Sequence, residues 1–339
     1  MVNGLPSISL VIPTLNSERT LRACLESISG QEYPEGKVEV ILIDGGSADS
    51  TLKIGRDFNA RIMVDETLRE DQEQRKAIGL LSAKNQIIGF IDSDNILPHN
   101  TWILKMIEPF MSDKSIVVTQ PLRYTYDKSA SLLNRYFSLF GVNDPIPYYL
   151  NKRDRLSWAE PDKWNLLGEA RDFPGYFSVR FSPGEVPTLG ANGFFVRKDI
   201  VNQLSFKPKD FFHIDFNLDL VNNGFNTYGI VKDGIIHLSG GRLSSFFYKR
   251  YFYMKQYYFK NKVLRRFKMY RPSDKWKLLK YIVFSLSLIE PFWQSLRGYS
   301  KIRDKAWFLH PLICFSMLFI YGYAVIEWRV LSLLKKKPK

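Results

Sequence analysis

The chain has 339 residues, 45% hydrophobic and 15% aromatic, enough for one large domain with additions or for two domains. Its two cysteines, Cys24 and Cys314, stand far apart in unlike contexts, which excludes a disulfide framework or cysteine metal cluster and fits a reducing compartment. The net charge of +14 is uneven, with 26 Lys/Arg against 30 Asp/Glu in residues 1–235 and 22 against 4 in residues 236–339; a basic tail that is also apolar and aromatic favours an anionic membrane surface over nucleic acid.

Residues 8–12 read as a buried strand ended by Pro13-Thr14-Leu15-Asn16. Asn16 or Ser17 then caps a helix whose Leu21, Cys24, Leu25 and Ile28 recur at i, i+3, i+4 and i+7. A second strand over 38–43 stops at Asp44-Gly45-Gly46-Ser47, a helix follows over 49–58, and a short third strand over 61–64. A helix over 72–83 leads into the apolar run Ile87-Ile88-Gly89-Phe90-Ile91, which ends in Asp92-Ser93-Asp94-Asn95. Two carboxylates at a strand's carboxyl end repel unless a cation sits beside them, and hard oxygen ligands suit Mg or Mn held with a substrate's phosphates. Alternating short buried strands and helices predict right-handed βαβ units and a mostly parallel sheet, with ligands at the strands' carboxyl ends.

Residues 117–120 read as a further strand, and 122–188, rich in Tyr, Trp, Pro and charge, as an irregular region on the acceptor side. Gly190-Ala191-Asn192-Gly193 is a glycine turn feeding a strand, where backbone approaches a ligand closely. His213-Ile214-Asp215 opens a helix that ends at Gly224, and a strand over 230–238 carries His237.

From residue 242 to 280 there are 13 basic residues, one acid (Asp274) and 12 aromatics, the composition of helices lying in a membrane interface. Residues 306–326 hold no Lys, Arg, Asp or Glu over 21 positions, long enough to span a bilayer. The apolar piece at 281–289 is too short to span unless Lys280 and Glu290 are included. Positive charge lies before, between and after these pieces, the last at Lys335-Lys336-Lys337. All three flanks prefer the cytosol, which a simple pair of spans does not satisfy, so re-entrant or interfacial helices compete with spans. The first residues lack the basic-then-apolar form of a secretory signal. The expected organisation is a cytosolic domain over 1–240, basic aromatic interfacial helices over 241–280 and hydrophobic membrane-associated helices over 281–339.

Taken together, Pro13-Thr14-Leu15-Asn16, Asp44-Gly45-Gly46-Ser47-Ala48-Asp49-Ser50-Thr51 and Asp92-Ser93-Asp94 resemble glycosyltransferase family 2 in order and spacing, over roughly residues 7–240. The resemblance implies a GT-A nucleotide-sugar fold and an inverting transfer from a nucleotide-diphosphate sugar with Mg2+ or Mn2+. By position, Pro13 and Thr14 would line the base and ribose pocket, with Asn16, Gly46 and Ser93 in the same site, and Asp44 would accept a hydrogen bond from the nucleobase. Arg75 or Lys76 would reach the diphosphate, Asp92 would contact the sugar or ribose, and Asp94, with Asp92 and His237, would hold the metal. Gly190, Asn192 and Arg197 would form the acceptor side.

The family's base is usually the Asp of a Glu-Asp pair ahead of a helix ending in Gly. Here that position falls on His213, with Asp215 two residues later. Asp215 is the expected base and His213 the second choice; Asp215 orienting His213 is a third arrangement, and a phosphate acceptor would need no strong base. The resemblance, with the basic C-terminal segment, implies a membrane-associated enzyme acting on a UDP-sugar by preference and on a polyprenyl phosphate or lipid-diphosphate glycan, with no role for nucleic acid. Three alternatives stand beside it. A processive polysaccharide synthase lacks its Gln-x-x-Arg-Trp segment here. A haloacid-dehalogenase-type phosphatase would continue its Asp-x-Asp with Gly-Thr. A non-catalytic membrane-bound binding protein that kept the fold would account for the altered base position.

Overall fold

The structure, a computed structural model, describes residues 4–238, 241–260 and 264–335. They fall into two compact units, one of Met1–Thr125, Asp154–Leu156 and Asp162–Leu238, the other of Tyr126–Arg153, Ser157–Pro161 and Ser239–Lys339. Residues 126–153 and 157–161, read from sequence as part of the first domain, therefore group with the C-terminal segment.

In chain order the first unit holds β1 (Ile8–Thr14), α1 (Glu18–Ser29), β2 (Val38–Asp44), α2 (Thr51–Asp57), β3 (Arg61–Val64), α3 (Gln72–Ser82), β4 (Ile87–Phe90), β5 (Asn95–Ile96), α4 (Trp102–Ser112) and β6 (Val118–Tyr124). Helices α5 (Leu132–Phe140) and α6 (Pro145–Tyr149) belong to the second unit. The first unit continues with β7 (Glu169–Asp172), β8 (Tyr176–Arg180), β9 (Phe194–Arg197), α7 (Lys198–Val201), α8 (His213–Asn222) and β10 (Thr227–His237).

The strands form one sheet in the order β3-β2-β1-β4-β9-β6-β10-β8-β7, with β5 pairing β10. The βαβ half, β3-β2-β1-β4, is parallel as the alternation predicted. Beyond it the sheet is mixed: β9 runs antiparallel between β4 and β6, β10 is parallel to β6, and β8 and β7 are antiparallel. Both faces of β1 are covered. Ile8, Leu10 and Ile12 share a core with the Leu21, Cys24, Leu25 and Ile28 stripe of α1 and with Trp102, Ile103 and Met106 of α4. On the other face α3 lies so close that a Cβ on Gly79 would come 2.1 Å from Val11. That approach sets the N-terminal turn of α3, with Glu73, Arg75 and Lys76, against the carboxyl end of the parallel strands.

The second unit adds α9 (Leu243–Tyr253), a π-helical turn at Met254–Lys260, α10 (Lys275–Ser287), α11 (Ile289–Lys301) and α12 (Leu309–Lys335). Its core joins Tyr136, Phe137 and Phe140 of α5 to Trp307, Ile313 and Met317, and the buried Asp304 forms an ion pair with Arg135 at 2.8 Å and accepts a hydrogen bond from Tyr126 at 2.6 Å. A break at Leu288, with φ +60°, separates α10 from α11. Each is 13 residues, about 20 Å, short of a hydrocarbon core of about 30 Å. Large apolar residues on them face outward, among them Trp276, Ile289, Phe292 and Trp293. Among the described residues one helical stretch, Lys305–Leu334, is long and apolar enough to cross a membrane. Lys336 and Lys337 of the expected basic tail lie outside the described residues.

Candidate active site

The carboxyl ends of β2, β1 and β4 are adjacent, and their three turns are fastened into one rim. Thr14 donates to Asp44 Oδ2 at 2.8 Å. Asp44 also accepts from the backbone N–H of Gly46 (2.9 Å) and Ser47 (2.7 Å) and from the Ser47 hydroxyl (2.6 Å). An ionised carboxylate offers about four lone-pair directions, and protein donors take four at Asp44, which is fully buried. Its place is to shape the Gly45-Gly46 turn. The expectation that it receives a nucleobase donor is met by a carboxylate already satisfied. Asn16, at φ +49°, accepts from Ala48 N–H at 2.9 Å and donates its own N–H to Ser47 at 2.8 Å, tying the first turn to the second. Ser93 donates to Ser17 at 3.0 Å, tying the third turn to the start of α1.

The two basic candidates on α3 separate. Arg75 turns to the backbone of the loop before α3, donating to the carbonyls of Leu68 and Arg69, and buttresses Gly45 from behind. Lys76 sits 3.2 Å from Asp92 Oδ1 and 3.9 Å from Glu73, buried to 2% exposure. Burial alone would lower its pKa, but the Asp92 and Glu73 carboxylates outweigh that and raise it, so Lys76 stays a cation.

Glu73 was not foreseen as a site residue. Its carboxylate, 3% exposed, accepts the backbone N–H of His213 at 2.9 Å, and both its oxygens lie 2.9 Å from His213 Nδ1. Burial by itself would raise the Glu73 pKa, yet the charges of His213 and Lys76 and the His213 hydrogen bonds hold it down at about 2. The first turn of α8 is thus latched to the first turn of α3. Asp215, the expected base, is fully buried, whereas the His213 side chain keeps 11% exposure.

His237, paired across from Asn95 in the β10–β5 ladder, brings Nε2 to 3.4 Å from Asp94 Oδ2, and the Asp94 side chain is 32% exposed. One carboxylate and one imidazole suit Mn2+ or Mg2+ when diphosphate oxygens and water complete the shell. Asp92, turned toward Lys76 and Gln72, does not join them, and among the described residues no group of three His, Cys, Asp or Glu side chains is gathered to hold an ion. Of the three expected ligands the structure brings Asp94 and His237 together and sets Asp92 apart.

The Gly190–Gly193 loop lies between β4 and α8. Gly193 N–H donates to the Phe90 carbonyl at 2.9 Å, and a Cβ on Gly190, at φ +114°, would come 2.8 Å from the His213 carbonyl. Asn192 bridges Asn95 (2.9 Å) and the Tyr124 hydroxyl (3.1 Å), and the buried Arg155 donates to the carbonyls of Ala191 (3.0 Å) and Asn192 (2.7 Å). Tyr124 also stacks on His237, so the loop and that histidine share one wall. Asn95 followed the two carboxylates in plain view, but Arg155 and Tyr124 carried no periodic signal. Arg197 is a correction. Because β9 runs antiparallel to β4, Arg197 pairs with Ile87 at the amino end of β4, away from the three turns, and binds Asp199 and the Lys114 carbonyl there.

Residues 9–165 match the family model described as Glycosyl transferase family 2. Glycosyltransferase AglE of Haloferax volcanii is 30% identical over 158 residues, 45% of this chain and 51% of that protein. Minor teichoic acid biosynthesis protein GgaA of Bacillus subtilis is 32% identical over 139 residues, 38% of this chain and 31% of that one. The chain spans about half or less of the length of these curated relatives. The solved structure of mannosyltransferase PcManGT from Pyrobaculum calidifontis, in complex with GDP-Man and Mn2+, is similar with a TM-score of 0.53 and 13% identity, over 95% of this chain and 87% of that one. The fold is therefore GT-A-like, an α/β arrangement with a mixed sheet flanked by helices.

Proposed function

We propose that this chain is a membrane-associated glycosyltransferase that moves a sugar from a nucleotide-diphosphate sugar, UDP-linked by preference, to a polyprenyl phosphate or lipid-diphosphate glycan in cell-surface glycan synthesis. The observation that carries the reading is the solvent-open Asp94–His237 pair next to the Lys76-backed Asp92, at the carboxyl ends of parallel strands. A divalent cation there would neutralise charge developing on the departing diphosphate. Lys76 holds Asp92 in one orientation for the sugar or ribose, while Thr14, Asn16, Gly46 and Ser93 form the rim that would receive the nucleotide, its curve set by Asp44. His213 is the better-placed base than Asp215, because a base needs access to its substrate and Asp215 has none.

The relatives support the class of reaction, one named for teichoic acid biosynthesis and a structural neighbour holding GDP-Man and Mn2+. The membrane part rests on the 30-residue apolar stretch Lys305–Leu334 and on the basic excess after residue 235. The test is transfer of labelled sugar from UDP-glucose or GDP-mannose to polyprenyl lipid in vesicles with Mn2+. A labelled lipid product formed by wild type and lost in His237→Ala supports the reading. Donor that binds while labelled sugar accumulates on no lipid, only in water-soluble products, contradicts the lipid acceptor.

A further inference from the structure

His213 and Glu73 form a pair that the donor site does not need. Glu73 is an ionised acceptor on one helix, and it receives both the main-chain N–H and the ring Nδ1 of the first residue of another helix. A carboxylate without a proton accepts only, so the ring nitrogen facing it carries the hydrogen. In the neutral form of the ring the lone pair is therefore left on Nε2. The main-chain bond fixes the position of His213 and the ring bond fixes its tautomer, the division of labour by which a carboxylate prepares an imidazole to take a proton. Lys76 completes the arrangement from the other side: it contacts Glu73 and Asp92, keeping Glu73 charged when an ion or diphosphate arrives. Glu73 and Lys76 lie three residues apart on one face of α3, so the base end and the donor end share a single helical turn.

Resting on the transferase reading above, we propose that Glu73 is a positioning residue that holds His213 as general base through Nε2, and that the acceptor nucleophile is accordingly a neutral sugar hydroxyl, as on a lipid-diphosphate glycan, rather than a lipid phosphate. As the hydroxyl oxygen bonds to the anomeric carbon, its proton passes to His213 Nε2. The bond from that carbon to the diphosphate oxygen breaks, and its electron pair leaves on the nucleoside diphosphate. The imidazolium that forms is neutralised by Glu73. A phosphate acceptor, already anionic, would leave such a base without a proton to take.

The chain has four histidines, so selective 15N-histidine labelling of the full chain gives a readable spectrum, with His213 assigned by its loss in His213→Gln. The expected result, at a pH high enough for the ring to be neutral, is a protonated Nδ1 and a bare Nε2, with the ring moving to mixed tautomers in Glu73→Gln. A neutral ring with its proton on Nε2 and a bare Nδ1 in the wild type overturns the pairing without any acceptor being known. In transfer assays with UDP-glucose or GDP-mannose, the acceptors compared are polyprenyl phosphate and polyprenyl-diphosphate-N-acetylglucosamine. Glu73→Gln is expected to lower kcat on the glycan by roughly 100-fold with KM for donor unchanged, Glu73→Asp to restore part of it, and Glu73→Gln to cost nothing further in a His213→Gln background. Transfer to polyprenyl phosphate that survives His213→Gln overturns the assignment, as does an additive loss in the double variant. If wild type binds no nucleotide sugar at all, the transferase reading fails while the tautomer still decides the Glu73–His213 pair.

Discussion

The charges around Asp92 are a chain of four side chains, His213, Glu73, Lys76 and Asp92, each buried or nearly so and each answering its neighbour's charge. Removing the middle cation leaves two carboxylates facing each other out of water. Lys76→Met is therefore expected to destabilise the protein by about 3–5 kcal/mol, read from the midpoint of urea unfolding, with Lys76→Arg costing much less. Acid acts on the same chain. Glu73 has a folded pKa of about 2 against an ordinary value of 4.5, so its stabilisation is fully present above pH 4.5 and is lost as pH falls from there toward 2. Urea titrations across that window should show a loss in wild type that is smaller in Glu73→Gln. Much of this was legible: Asp92, Asp94, Lys76, His213 and His237 stood out by residue type at strand and helix ends. Glu73 did not, because a glutamate in the first turn of a helix looks like a solvated face, and nothing local says that a histidine 140 positions on will close over it. Asp44 was legible as important, but a motif position does not reveal the four hydrogen bonds that its own rim supplies to it.

Among the elements, the glycine turn before β9 is the least replaceable. Gly190 combines a left-handed φ of +114° with space for no Cβ, which would strike the His213 carbonyl and Asn217. Gly190→Ala is expected to cost roughly 1–3 kcal/mol and to lower transfer more than donor affinity, because the displaced group is the start of α8. Thermal unfolding alongside calorimetric donor binding separates the two effects. The βαβ half could be read almost residue by residue, with Leu21, Cys24, Leu25 and Ile28 buried as their spacing required. Strand β9 shows where such reading stops. Arg197 follows Gly193 by four residues, yet four residues of extended chain carry it about 13 Å down the strand to the amino end of β4. Helix α5 was missed inside the region read as irregular although Leu133, Tyr136, Phe137 and Phe140 recur at i, i+3, i+4 and i+7 between a Ser131 cap and Gly141 at φ +70°. Dense aromatic and proline neighbours obscured that signal.

For the whole molecule, charge and apolarity are divided along the chain, with a nearly balanced first part and a C-terminal part of 22 basic and 4 acidic residues bearing exposed Trp276, Ile289 and Trp293. Each Lys or Arg near an anionic surface is worth about 1 kcal/mol, so co-sedimentation with phosphatidylserine vesicles should exceed that with phosphatidylcholine by at least about tenfold and fall with added salt. Equal binding to both would assign attachment to the apolar helices alone. A donor site that needs its cation is the central proposal, and calorimetry of UDP-, GDP- and dTDP-sugars with and without Mn2+, on wild type and Asp94→Ala, tests it most directly. Metal-dependent binding of one donor, weakened at least about tenfold in the variant, is the predicted result. Binding of no donor, or binding indifferent to both Mn2+ and Asp94, would contradict it.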